Sequence, residues 1–247
     1  MPRDLSHAPD RHTPDPGRLN RRFQGNTAGA LAHVMGGALG PVALVSSFGA
    51  ESAVLLHMAA QIDRHLPVLF IDTQLLFPET LAYHETLVAR LGLSDVRRLG
   101  PDRTEAFVQD PDLALHGADA DACCALRKAR PLARALAPFG GWITGRKRFQ
   151  GGQRAGLAMF EREPGAERIK INPLAGSTAA ELRAYMARHG LPPHPLAARG
   201  YPSIGCMPCT SAVQPGEGAR AGRWRGQAKT ECGIHLVGGR PVRGATA

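Results

Sequence analysis

Val42-Ala43-Leu44-Val45-Ser46-Ser47-Phe48-Gly49-Ala50-Glu51-Ser52 is the stretch whose reading decides the fold of this chain. Four consecutive apolar residues bounded by turn formers read as a short strand buried on both faces. Ser46 to Ser52 is a tight turn, and behind it Val54, Leu55, Met58, Ala59 and Ile62 fall on one helical face. The order is strand, phosphate-sized loop, helix. It puts backbone N–H groups and the positive end of a helix dipole at the carboxyl end of a strand, where an anion is favoured. No Gly-Lys-Ser/Thr follows, so the loop is not a P-loop of the nucleoside triphosphatase type. The plain alternative is a Ser/Gly turn that only caps its helix.

Outward from this unit, Asn26 to Ala38 reads as a helix of small residues closed by Gly40-Pro41. Val68-Leu69-Phe70-Ile71 is a second strand ending in Asp72-Thr73, beside the first loop, where a ribose or base would lie. Pro78 opens a helix to about Leu91, at a position where its missing N–H costs nothing. Val96 to Leu99, Gly141 to Gly145 and Arg168 to Asn172 are further strand candidates, with helical material between them around Cys123-Cys124. Thr178 with Glu181 forms a capping box for a helix that stops at Gly190. Strands alternating with helices predict an α/β protein with a doubly wound, mostly parallel sheet. From Leu191 the chain is rich in Pro and Gly, and it is expected to wrap over the ligand-binding edge. The expected organisation is an arm-like or disordered leader over 1–25, a single domain over 26–236 and a flexible tail over 237–247.

A length of 247 residues with 43% hydrophobic content supports one sizeable core, and a net charge of +9 favours an anionic partner. Aromatics make up 5% of the chain and nowhere interleave with basic residues, which argues against nucleic acid. Arg146-Lys147-Arg148 and the group from Arg220 to Arg225 suit a small polyanion, or a solvated face. Residues 1–22 lack the apolar run of a signal peptide or membrane span. Together with an odd cysteine count this predicts a soluble cytoplasmic protein with no membrane partner.

Four of the five cysteines form tight pairs, Cys123-Cys124 and Cys206-Met207-Pro208-Cys209, and Cys232 stands apart. Two such pairs supply four thiolates, as a [4Fe-4S] cluster requires, with a four-cysteine zinc site as the rival. Adjacent residues on a helix point about 100° apart, which suits a wide cluster better than one small ion. Lys128 lies one turn beyond Cys124 and can reach back toward it, while Pro131 limits how far that helix runs undistorted. Cys232 is either a reactive thiol or an incidental one.

These segments carry a resemblance. Ser47-Phe48-Gly49-Ala50-Glu51-Ser52, Ile71-Asp72-Thr73, Phe77-Pro78-Glu79-Thr80, Cys123-Cys124 with Arg127-Lys128, Gly145 to Arg154, Tyr201 to Thr210, Arg220-Ala221-Gly222-Arg223-Trp224 and Lys229-Thr230-Glu231-Cys232-Gly233-Ile234-His235 resemble, in order, the phosphoadenylyl/adenylyl sulfate reductase family. The resemblance covers roughly Val42 to His235. Both cysteine pairs are similar to those of its iron–sulfur branch, the assimilatory adenylyl sulfate reductases of bacteria.

The resemblance implies a sheet of the adenine nucleotide alpha-hydrolase-like (PP-loop) type, with an irregular C-terminal segment over the active site. It implies one [4Fe-4S] cluster on Cys123, Cys124, Cys206 and Cys209. Substrate binding would fall to Ser46, Ser47, Phe48, Gly49, Ser52, Asp72, Thr73, Arg154, Arg220 and Arg223, the arginines pairing with phosphosulfate oxygens. Cys232, Lys128 and His235 would be catalytic, with Cys232 as nucleophile and Lys229, His235 and nearby arginines lowering its pKa. Trp224 would pack on the substrate or on the tail.

The implied reaction is thioredoxin-dependent reduction of adenosine 5′-phosphosulfate to sulfite and AMP through an S-sulfocysteine, in sulfate assimilation. Fifteen residues follow Cys232, so the reductant is expected on another chain. Assembly into a homo-oligomer stays open. Phe149 replaces the acidic residue that usually precedes the glutamine in the family, and Gly151 replaces a serine. The alternatives are the same reaction on the 3′-phosphorylated nucleotide, a PP-loop adenylating or tRNA-thiolating enzyme, and a non-catalytic metal-binding module.

Overall fold

A computed structural model of the chain describes residues 14–227, 229, 231, 236–237 and 240–241. Six strands build the main sheet: β1 Val42–Ser46, β2 Val68–Ile71, β3 Val96–Leu99, β4 Gly141–Thr144, β5 Phe160–Arg162 and β6 Ile169–Ile171. Their order is β3-β2-β1-β4-β6-β5, parallel throughout except for β5, which runs antiparallel to β6 along the edge. Residues 236–237 pair separately with 240–241.

The helices are α1 Pro16–Arg22, α2 Thr27–Met35, α3 Ser52–Ala60, α4 Pro78–Leu91, α5 Arg103–Gln109, α6 Leu115–Ala118, α7 Ala120–Cys124, α8 Arg130–Leu136 and α9 Ala179–Arg188. Alternation along the strands explains the layering. In β1 and β2, Leu44, Val68 and Phe70 pack with α1, α2, α3, α4 and α9 in one core, while Ala43, Leu69 and Ile71 meet Leu132 and Leu136 of α8 in another. Both faces are covered, as expected of a parallel sheet. This is the predicted doubly wound arrangement.

Over residues 14–25 the chain differs from the arm-like expectation. Asp15 caps α1 by accepting from the Gly17 and Arg18 N–H groups, Pro16 opens the helix, and Leu19 and Phe23, one turn apart, are buried in the main core. Asn20 clamps the edge strand, its side chain donating to the Phe160 carbonyl (2.9 Å) and accepting from the Phe160 N–H (2.9 Å). Two apolar residues in a polar stretch were too sparse a signal. Of the other elements, the capping box of α9 forms both of its bonds, and Ile62 falls beyond α3 and is exposed.

α7 continues into α8 through Ala125–Ala129, a π-helical turn. Pro131 supplies the cause. It has no N–H to give, and its ring would collide with the Arg127 carbonyl in a regular α-turn, so the helix widens there. No described helix is long and apolar enough to cross a membrane.

Candidate active site

In the order β3-β2-β1-β4-β6-β5 the chain turns back between β1 and β4, and a cleft opens at the carboxyl ends of these two strands. The loop from Ser46 to Ser52 forms one wall. Ser46 Oγ accepts from the Phe48 N–H (3.1 Å), and Phe48 adopts φ +49, the left-handed region that non-glycine residues rarely occupy. That turn sends the Phe48 ring into the core, edge-on to Phe70 at 4.9 Å and to His84 at 4.7 Å. The neighbouring Ser47, Gly49 and Ser52 are left lining the cleft at the start of α3. The opposite wall comes from the loop after β4. Lys147, buried, donates to Glu51 Oε2 (2.8 Å) and locks the two loops together.

The segment after Leu191 closes the cleft, as expected, with Pro202 to Cys206 in its lining. Cys206 joins the β2 loop through an antiparallel bridge to Leu76, and its Sγ lies 3.2 Å from Thr73 Oγ1. Lys128, projecting from the π turn, hydrogen-bonds the same sulfur. Beside it, Arg127 is fully buried. Its Nε (3.0 Å) and Nη2 (2.7 Å) donate to Asp110, and its Nη1 donates to the Thr73 carbonyl (3.0 Å), fastening the cysteine-bearing helix to the end of β2.

All four paired cysteines are buried. Burial, then the Cys124 and Cys206 sulfurs, push the Cys123 thiol up to about 12, and burial raises Cys209 as well. Burial would also raise Cys206, but Lys128, the Thr73 hydroxyl and Arg223 outweigh it and hold that thiol below its ordinary value. Among the described residues no three His, Cys, Asp or Glu side chains converge on the position of one metal ion.

Arg223 Nε and Trp224 Nε1 are buried without hydrogen-bond partners, and Trp224 packs directly on Cys206 and Cys209. Four buried thiols, with the Arg223 and Trp224 N–H groups beside them lacking an acceptor, fit a sulfur-rich group carrying its own cationic metal. Trp224 therefore belongs to the cysteine site rather than to a substrate-facing wall.

Several expected binding residues are brought together. Ser46, Ser47, Gly49, Ser52, Thr73, Lys128, Arg154, Arg220 and Arg223 all line the cleft. Two are not among them. Phe48 is turned into the core, and Asp72 faces Arg98, whose Nε donates to it at 2.6 Å, while its other oxygen accepts from the Gln74 N–H. The reason in each case is local: a positive φ at 48 and an Asx turn at 72. Lys229, expected beside Cys232, pairs with Asp121. Cys232 and His235 lie outside the described residues.

Reading the sequence missed the carboxylates. Glu231 accepts from Arg154 Nε (2.6 Å) and Nη2 (2.7 Å) and from Arg220 Nη2 (3.3 Å), inside the cleft. Glu51 and Asp110 are equally structural to the site, and only tertiary pairing reveals them. For Glu231 the clue was present, since it directly precedes Cys232 in a quoted motif.

Comparison with known proteins agrees with this geometry. The phosphoadenosine phosphosulfate reductase domain matches residues 41–212. The chain is 57% identical to an adenosine 5′-phosphosulfate reductase of Mesorhizobium japonicum, with 80% of this chain and 77% of the relative covered. It is 52% identical to one from a Chelativorans species, with 81% and 80% covered. The crystal structure of a phosphoadenylyl-sulfate reductase from Candida auris superposes with a TM-score of 0.67 at 25% identity, over 80% of this chain and 96% of that one. The matched span runs from the β1 loop through both cysteine pairs, and the chain belongs to the phosphoadenosine phosphosulfate reductase family.

Proposed function

We propose that the chain reduces adenosine 5′-phosphosulfate to sulfite and AMP, with a [4Fe-4S] cluster on Cys123, Cys124, Cys206 and Cys209. The observation that carries this reading is the cleft itself: a Ser/Gly loop at the switch point, continuous with a cationic end formed by Lys128, Arg154, Arg220 and Arg223. The adenosine 5′-phosphosulfate reductases of Mesorhizobium and Chelativorans support the substrate. The loop after β1 and the start of α3 take the nucleotide, and the guanidinium groups orient the phosphosulfate oxygens and neutralise charge as the phosphate leaves.

The Cys232 thiolate attacks the sulfate sulfur. The bond from sulfur to the phosphate oxygen breaks, AMP departs with its electron pair, and an S-sulfocysteine remains. A dithiol reductant, thioredoxin, then attacks Cys232 Sγ. Sulfite leaves with the electron pair of the S–S bond, and the second thiol of the reductant resolves the mixed disulfide. The two electrons that reduce the sulfur come from the dithiol. When bound, the cluster supplies a fixed metal charge that orders the thiolates and Lys128.

The test is to incubate reduced, anaerobically purified protein with adenosine 5′-phosphosulfate in the absence of thioredoxin and to determine its mass. A sulfonate adduct that maps to Cys232, and disappears in Cys232→Ser, is expected. No adduct on Cys232 sinks the mechanism. The Candida auris likeness keeps one second reading, the same chemistry on the 3′-phosphorylated nucleotide. Sulfite release from the two substrates, compared side by side, decides between them.

A further inference from the structure

The cationic end of the cleft is already partly filled by the protein. Of its basic side chains, Lys147 is paired with Glu51 (2.8 Å) and Arg146 with Glu161 (2.6 Å), both across contacts between the loops and strands of the sheet. Arg154 and Arg220 instead share the carboxylate of Glu231, which comes from the far end of the described chain. The three side chains are 14%, 14% and 10% exposed. Arg154 presents two parallel N–H groups to the two carboxylate oxygens, the fork geometry that guanidinium uses equally for sulfate and phosphate. Gln150 holds the same guanidinium from behind through Nη1, so Arg154 is orientated independently of Glu231.

From this geometry we propose that Glu231 is an internal competitor of the substrate. Its carboxylate occupies the guanidinium pair, and an entering phosphosulfate displaces it, releasing the residue that precedes Cys232 in the chain. Two anions cannot both take the same fork, and a guanidinium left unpaired at this burial is costly, so exchange of one anion for the other is the low-energy route. Part of the substrate's binding energy is thereby spent on displacing Glu231 rather than on affinity. The proposal rests on the phosphosulfate reading of the cleft.

The test is equilibrium binding in a full-length Cys232→Ser background, which does not turn over under the proposed mechanism. Adenosine 5′-phosphosulfate and inorganic sulfate are titrated separately into the parent, Glu231→Gln and Glu231→Asp, each first matched to the parent by circular dichroism. Removing the competing charge is expected to tighten binding about tenfold in Glu231→Gln. Glu231→Asp, one methylene too short to bridge both arginines, should fall between. The affinity order Gln, Asp, parent supports the proposal. Equal affinities, or weaker binding in Glu231→Gln, overturn it, because a carboxylate that competes for the fork must weaken anion binding by its presence. If sulfate follows the order but adenosine 5′-phosphosulfate binds to none of the three, the competitor stands and the substrate reading fails. If all three bind adenosine 5′-phosphosulfate equally, the substrate reading stands and the competitor fails.

Discussion

Two residues outside the cleft lining fasten the cysteine-bearing helix beside it. Arg127 and Asp110 are 1% and 2% exposed and form a 2.7 Å ion pair. Breaking such a pair on one side strands a buried charge, at ~3–5 kcal/mol. Asp110→Asn is therefore expected to lower unfolding free energy by ~3 kcal/mol at pH 7, measured by urea titration. The pH dependence has a definite sign. Burial alone would raise the Asp110 carboxyl, but the Leu115 N–H and Arg127 outweigh it and hold it below its ordinary value. A carboxyl depressed in the fold contributes stability that is present above its unfolded pKa, about 4, and is lost as pH falls through the lower folded value. The acid-side decline below about pH 4 should flatten in Asp110→Asn, and an unchanged profile would refute the assignment. Gly205 acts through space rather than charge. A Cβ built there collides with the Arg223 guanidinium, so the glycine is what lets Arg223 lie flat against the cysteine loop. Gly205→Ala should raise KM severalfold through a displaced Arg223 while leaving the melting temperature within a few degrees. A mutant with parental KM would show that Arg223 is not held by this contact.

Elements were legible where one residue class dominated. Residues 42–45 and Val68–Ile71 are short unbroken apolar runs bounded by turn formers, and both were readable as buried strands. The edge strand Phe160–Arg162 was not, because three residues with one buried side chain carry no period. It nevertheless matters, since Glu161 stands directly opposite Lys170 of β6. Lys170 is buried over the Trp142 ring at 4.6 Å, and burial, then Arg146, bring its pKa down to about 7 against the opposing pull of Glu161 and Glu163. Its unfolded value is about 10.4. Below pH 7 both states hold the proton and the fold carries the whole cost of a buried cation; above pH 7 the folded state sheds it and the cost shrinks toward pH 10. Glu161 and Glu163 keep Arg146 and Arg168 as partners when Lys170 is removed. Lys170→Met is accordingly expected to stabilise the protein by ~2 kcal/mol at pH 6, with the gain fading by about pH 10. Stabilisation that does not vary with pH would mean that packing, not charge, is responsible. The π turn is the second element-scale device. Restoring an N–H with Pro131→Ala allows a regular α-turn at Ala125–Ala129, which would rotate Cys123 and Cys124 by about 100° relative to α8 and away from the Cys206 loop. Iron bound per chain should fall in that variant while far-UV helicity holds or rises. Full iron content would show that Pro131 does not set the register.

At the scale of the molecule, the sheet and the site differ in what holds them. The sheet is consolidated by two apolar cores, whereas the segment from Leu191 to Glu231 lies over the cleft with small apolar contacts of its own, around Leu196 and Ile204 and around Trp224. Charge and composition foretold an anionic partner and a wrapping segment. They could not foretell that Glu231 would return to the cleft, because which carboxylate meets which guanidinium depends on the tertiary path. The same path would let the proposed cluster act as a cross-link. Cys123 and Cys124 sit at the end of α7, and Cys206 and Cys209 sit in the wrapping segment, so a cluster spanning them would tie the segment to the sheet and close a long loop, constraining the unfolded chain as well. Stripping iron with a chelator should then act unevenly. Hydrogen exchange, followed by mass spectrometry on the iron-loaded and stripped protein, is expected to accelerate in peptides covering 120–136 and 191–227. Peptides from β1, β2 and β4, which rest on the apolar cores, should stay protected. Uniform loss of protection would make the cluster a determinant of the whole fold, and no change in either region would remove the cross-link from this account. The unequal response is expected because the contacts around Leu196 and Trp224 are too few to hold the segment unaided, while burial on both faces leaves the sheet independent of the metal.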